Sequence, residues 1–368
     1  APAAGDGSSG SPYQIATLDN LYWMSQNPLE LGKYFIQTSD IDASSAANWG
    51  SGSNVGFQPI GADGIGGFTG TYDGNNNTIS GLPINRPPYS NQGLFGYVNG
   101  GTIKNLGVIN VSIISAGTSG SLIGKGIDVT VQNCYSTGSI TIEGGASGGL
   151  IGYIENTVSS LIEDSYSSVV LISNTGGNVG GILGFTKYQI TTIQRCYFNG
   201  SVNAGTNWSV GGIVGESNYS SDLIQFCYNS GSITGGGYVG GIVGYLVNTG
   251  KISNCYNLGS IGGNYNGGIL GGAMATSTIE YCYNAGSVNI GGNYNGGIFS
   301  GHDPSSSPTV TSCFYDNTIN SDGSLNNGFG TPTSTTDMKI QSTFTGWDFS
   351  TIPIWEINPS QNEGYPTL

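Results

Sequence analysis

The residues able to do chemistry are few, and several recur at regular spacing. Six cysteines recur, Cys134, Cys196, Cys227, Cys255, Cys282 and Cys313, with Ser165 in the gap between the first two. An aromatic residue follows each: Tyr135, Tyr166, Tyr197, Tyr228, Tyr256, Tyr283 and Phe314. His302 is the only histidine, no CxxC or HxxxH spacing occurs, and no metal or other cofactor is expected. A Ser-His-Asp triad would have to use His302 in the stretch Gly301-His302-Asp303-Pro304, which reads as an exposed loop. Sugar-cleaving chemistry needs paired carboxylates on one face. Glu155 and Glu216 are the candidates, each one to three residues past an apolar-apolar-Gly motif. Asp73-Gly74-Asn75 could ligate calcium, but it reads more simply as a type I′ turn.

What positions these residues is a repeat. Two apolar residues and a glycine recur as Leu94-Phe95-Gly96, Leu122-Ile123-Gly124, Leu150-Ile151-Gly152 and Ile182-Leu183-Gly184. They continue as Ile213-Val214-Gly215, Ile242-Val243-Gly244 and Ile269-Leu270-Gly271, ending in the degenerate Ile298-Phe299-Ser300. Successive spacings are 28, 28, 32, 31, 29, 27 and 29 residues, and the Cys-Tyr motif runs in step. Each period holds three apolar patches of about four residues between Gly/Asn/Ser/Thr turns, too short for helices. Stacked turns of short parallel strands make a right-handed parallel β-helix, an all-β solenoid of about ten rungs of 27–32 residues.

In that frame the cysteines, from Cys134 to Cys313, form one inward column. It is either a reduced, buried ladder or carries one or two disulfides between rungs. Strand alternation points the tyrosines outward, where they would stack, bind sugar rings or meet another subunit. Glu155 and Glu216 would lie about two rungs apart, on the order of 10 Å, too loosely fixed for an inverting pair.

The ends differ from the middle. Residues 1–11 are Gly/Ser-rich and are expected to be flexible, able to reach a neighbouring subunit. Residues 12–92 read as an N-terminal cap and first rungs, with a short helix after Thr17 as its N-cap. Rungs occupy 93–315, and 316–368 is a loop followed by a C-terminal cap, in which Trp347, Phe349, Trp355 and Tyr365 close the last rung.

Eight Lys+Arg against 22 Asp+Glu leave a net charge of -14, so no basic stripe is available for nucleic acid or anionic lipid. Apolar runs stop at four or five residues, which rules out a helix spanning a membrane. The start Ala1-Pro2-Ala3-Ala4 matches a chain after signal-peptide removal, and Asn76, Asn110, Asn199, Asn207 and Asn218 begin sequons. The protein is therefore expected outside the cell or on its surface.

From Pro12-Tyr13-Gln14-Ile15, through Tyr72-Asp73-Gly74-Asn75 and Gly93-Leu94-Phe95-Gly96, to Trp347-Asp348-Phe349 and Gly364-Tyr365-Pro366, the chain resembles the GLUG-motif repeat proteins. The likeness covers about 12–368 and suggests one complete module. It implies a parallel β-helix found in adhesins, surface proteins and appendages of enzymes, with no single activity. The zinc peptidase that accompanies such repeats elsewhere has no counterpart here, since HExxH is missing. The reading favoured is a structural or adhesive surface protein that assembles with itself into a filament or sheath. The alternative is a carbohydrate-active enzyme using Glu155 or Glu216, or a polysaccharide-binding module using the tyrosines.

Overall fold

The computed structural model describes the whole chain except residues 3, 63–65, 219–220, 275, 303–307 and 351–353. Its strands stack in parallel into a solenoid with one long face and two short ones. Each short face carries seven strands, and single bridges at Ile60, Gln92 and Phe299 extend them, giving about eight complete turns. The expected ten is too many because the terminal levels add strands to the long face alone.

Register is set by apolar columns. On one short face Phe95, Ile123, Ile151, Leu183, Val214, Val243 and Leu270 are aligned, and all are buried. On the long face Ile103, Val131, Ile162, Ile193, Ile224, Ile252 and Ile279 do the same. A register slip of one residue would turn each of these columns to water, so the pattern fixes a single alignment.

The long face is broken into as many as three strand segments per turn, as at Leu223–Gln225, Tyr228–Asn229 and Ser232–Thr234. Asn105, Asn133, Asp164, Arg195, Phe226, Asn254, Tyr281 and Ser312 sit at one level of successive rungs with φ between 50 and 56°. This left-handed residue bends the strand and shifts the alternation by one. Ile162 and Ser165, or Ile193 and Cys196, thus both face inward although three residues apart. Left-handed geometry costs roughly 1 kcal/mol for most side chains and least for Asn or Asp, which explains half of this column. Nothing in the structure explains why Arg195, Phe226, Tyr281 and Ser312 occupy the rest.

At the N-terminus the helix α1 (Leu18–Gln26) forms behind Thr17, whose hydroxyl accepts from the Asn20 amide while the Asn20 side chain accepts from the Thr17 amide. Leu21 and Met24 on its inner face join the core above Ile15 and Phe35. The described residues of 1–11 are not a free arm. The Gln14 amide donates to the Ala4 carbonyl, the Tyr34 amide donates to Gly7, and Asn20 holds the Ala1 carbonyl.

The other end also differs from expectation. The last rung is closed by 316–333: Thr331–Thr333 pairs with Phe314–Asp316, Leu325 joins the core, and the Asn327 amide donates to the Asn295 and Phe299 carbonyls. The aromatic tail beyond it folds back along the outer flank. Its Met338, Phe344, Trp347, Trp355 and Tyr365 form a second apolar cluster with Tyr256, Tyr283 and Phe314. Asp73-Gly74-Asn75 is not a hairpin turn either. Asn75 and Asn76 have φ of 52 and 62°, but they make a bulge inside the strand Thr71–Ser80, which continues in the same direction. Asp73 is held there by the Asn75 amide, the Asn105 side chain and Lys104.

Candidate functional site

The repeated Cys-Tyr motif builds two columns, one inward and one outward. Cys134, Cys196, Cys227, Cys255, Cys282 and Cys313 are all free and buried, so the column is the reduced ladder and no disulfide joins its rungs. Each thiol donates to the carbonyl two residues earlier at 3.2–3.3 Å, and Ser165 makes the same bond at 2.7 Å. Cys313 ends the column. Its thiol points to the Thr311 carbonyl at 3.3 Å, and its own carbonyl accepts from the Thr331 amide of the closing strand at 2.9 Å. Burial pushes the Cys134 thiol up to about 12 and holds Cys196, Cys227 and Cys282 well above the ordinary range. At Cys255 burial is again the largest influence. The flanking thiols of Cys227 and Cys282, with backbone amides, oppose it by favouring the thiolate and together lower this group. These thiols are fillers of a narrow core.

Outside, Tyr135, Tyr166, Tyr197, Tyr228, Tyr256 and Tyr283 stack face to face with centroids 4.6–5.1 Å apart and ring planes within 3–6°. Each interior ring has both faces covered by its neighbours, so only ring edges and hydroxyls meet solvent. A sugar ring needs an open aromatic face, and this column offers none between Tyr166 and Tyr256. Tyr135 to Tyr228 remain partly exposed, whereas the aromatic tail covers Tyr256 and Tyr283. There Trp355 lies 6.1 and 6.0 Å from the two rings, and the Tyr283 hydroxyl donates to the Pro366 carbonyl at 2.7 Å. Burial raises Tyr228 to about 12.

The carboxylate candidates are not brought together. Glu155 is aligned with Lys187, whereas Glu216 is aligned with Phe185, one strand further and two residues back. Two strand spacings and two residue rises put their backbones on the order of 12 Å apart, and different partners hold the two carboxylates. Glu155 pairs with Lys125 at 3.3 Å and Lys187 at 4.0 Å. Glu216 accepts from Ser209 at 3.0 Å and Asn218 at 3.2 Å. His302 packs among rings, 4.2 Å from Tyr265 and 4.9 Å from Tyr294, instead of standing free in a loop. Asp303 and Pro304 of that loop lie outside the described residues. Of the sequon asparagines, Asn207 is fully buried with its amide on Ser173, while Asn76, Asn110 and Asn199 are exposed.

Two features escaped the sequence reading. Asn229, Asn257 and Asn284, each two residues after a cysteine, form a buried amide ladder with bonds of 2.7 and 2.8 Å. The signal was present as Cys-Tyr-Asn three times in succession. The second is an outward polar row: Gln132 and Gln194 donate to the two oxygens of Glu163, Gln225 donates to Gln194, and Arg195 grips Glu163 and Asp164.

That row makes stability depend on pH. The amides of Gln194 and Gln132 lower the Glu163 carboxyl, and Arg195 lowers Asp164. Depressed values mean that the stabilisation is present above about pH 4 and is lost as pH falls through the lowered values. The thermal midpoint is therefore expected to drop between pH 5 and the acid limit. The Arg195→Met variant should show a shallower drop; equal slopes in both proteins would refute the assignment.

A parallel solenoid whose repeated polar and aromatic columns bind rung to rung is the class defined here. Residues 235–262 match the GLUG motif, and the chain is similar to GLUG-motif repeat proteins there. Over 170 residues, 45% of its length, it is 34% identical to Halomucin of Haloquadratum walsbyi (strain DSM 16790 / HBSQ001). The chain spans only 2% of that relative's length. A crystal structure of a candidate immunoglobulin A1 protease from Bacteroides ovatus aligns with 100% of this chain and 95% of that one, at 20% identity and a TM-score of 0.52. This likeness concerns the fold alone. An IgA1 Protease structure aligns with 82% of this chain and 21% of its own, at 16% identity and a TM-score of 0.44, too low to argue from.

Proposed function

We propose that this chain is an extracellular structural or adhesive protein of the cell surface that assembles with copies of itself. The observation that carries the reading is the use of the repeated side chains. Tyrosine rings, amides and the Glu163 row all bind one rung to the next, which is what a rod needs. The likeness to a segment of Halomucin supports a place outside the cell.

Assembly is assigned to the open half of the tyrosine column. Where this flank is covered, the cover is aromatic and comes from the same chain; Tyr135 to Tyr197 continue the surface without that cover. Sedimentation velocity tests this with the double variant Tyr166→Arg, Tyr197→Arg. The wild-type chain is expected to associate with rising concentration and to form filaments or sheets in negative stain. The variant should stay single with an unchanged circular dichroism spectrum. A wild-type chain that remains a dispersed rod at every concentration would remove the assembly claim.

A further inference from the structure

The chain's other cations are mostly answered by acids. Lys104, Lys125, Lys187, Arg195 and Lys251 each pair with a carboxylate. Arg86 is different. Among the described residues no carboxylate lies within 4.0 Å of it, and its guanidinium sits 5.6 Å from the Tyr89 ring. In a protein of net charge -14 such a group attracts an anion that the chain does not supply.

Arg86 also stands where two hollows meet. One, of about 620 Å³, is walled by Tyr22, Trp49 and Asn54; the other, of about 500 Å³, by Tyr89 and Gln92. Gln92 is 3% exposed, and its Nε2 donates to the Ser90 carbonyl at 2.8 Å. Its Oε1 has no hydrogen-bond partner, and neither does the buried Oδ1 of Asn54. A buried acceptor without a donor is unfavourable, so both oxygens favour a ligand or water that donates. Tyr22 and Trp49, 5.0 Å apart, make an apolar wall with Tyr22 42% exposed.

We infer that this groove binds an acidic saccharide of the uronate kind. The carboxylate pairs with the planar fork of Arg86, hydroxyls donate towards the Asn54 and Gln92 amides, and the apolar sugar face rests on Trp49 and Tyr22. A bare inorganic anion fits poorly, because it brings no donor for two amide oxygens. An acidic peptide has carboxylates but lacks hydroxyls arranged around a ring. From the surface reading the inference takes only that glycans are within reach. A chain that fails to assemble can still bind here, and one that fails to bind can still assemble.

The test is calorimetric titration of the full chain with trigalacturonate, with the neutral trimer maltotriose and with triglutamate. Saturable binding of trigalacturonate that weakens with salt is expected, and Arg86→Gln should weaken it roughly tenfold or more. Asp19 lines the same hollow, so Asp19→Asn is expected to tighten binding by removing a like charge. Both sites are at the surface, and the variants should keep the wild-type melting midpoint. No saturable heat, equal binding of maltotriose or triglutamate, or full affinity in Arg86→Gln would each overturn the assignment.

Discussion

Replacing Asn257 by Asp is expected to destabilise the middle of the solenoid by about 3–5 kcal/mol at neutral pH. The Asn257 amide is fully buried and its partners are complete. Its nitrogen donates to Asn284 at 2.8 Å and to the Gly259 carbonyl at 2.9 Å. Its oxygen accepts from Asn229 at 2.7 Å and from the Gly259 amide at 3.2 Å. A carboxylate keeps both acceptor roles and loses both donor roles. Two buried oxygens, on Asn284 and Gly259, then face a negative charge. Burial raises the new carboxyl above its unfolded value of about 3.9, so the protonated form belongs to the folded state. Stability is thus greatest below that value and is lost as pH rises through the raised one. The gap between variant and wild type should narrow on acidification, even though both lose the Glu163 and Asp164 contribution there. A gap that is constant from pH 4 to pH 8 would show that the ladder tolerates the charge.

How much of this was legible follows from which contacts have a period. The inward columns, Cys134 to Cys313 among them, were readable because each recurs once per turn. Ile193-x-x-Cys196 and Ile252-x-x-Cys255 announce the bend as well as the core, although the left-handed residue between them was not recognised as a bend. The outward direction of the tyrosines followed from alternation. That their faces cover one another did not, since ring orientation depends on stacking at 4.6–5.1 Å between residues some 30 positions apart. The folded-back tail was invisible for another reason. Trp355 finds Asn254, and Tyr283 finds Pro366, through single long-range contacts that repeat nowhere. The groove at Arg86 is of the same kind, assembled from residues 19 to 92 in the part of the chain that has no period. The 1–11 segment misled because its Gly/Ser composition suggests freedom. Yet Gly7 is tight against Tyr13 and Lys33, where a side chain could not fit.

Glycine at 241 tests whether rung spacing, more than conformational freedom, dictates this composition. Its φ lies outside the left-handed region, so alanine meets no backbone penalty there. Space forbids it instead. An added Cβ would stand 2.1 Å from the Gly268 carbonyl oxygen and 2.5 Å from the Asn257 Cγ. Neither neighbour can yield freely. The Gly268 backbone is fixed in the next rung, where its amide donates to Gly296, and Asn257 is locked in its ladder. Gly181 and Gly212 meet the following rung at the same 2.1 Å, so the constraint belongs to the column. Gly241→Ala is therefore expected to cost about 3 kcal/mol, the upper range for overpacking. Gly323→Ala, which has nothing within 4 Å of its new Cβ, should change stability by less than about 1 kcal/mol. In a solenoid the damage should stay local, because each rung touches only its neighbours. Hydrogen exchange is expected to quicken at 210–300 and to remain slow around Ile15 and Phe35. Equal melting midpoints for the two variants would mean that the rungs can spread by the width of a methyl group. Close glycine contact would then no longer explain the repeat.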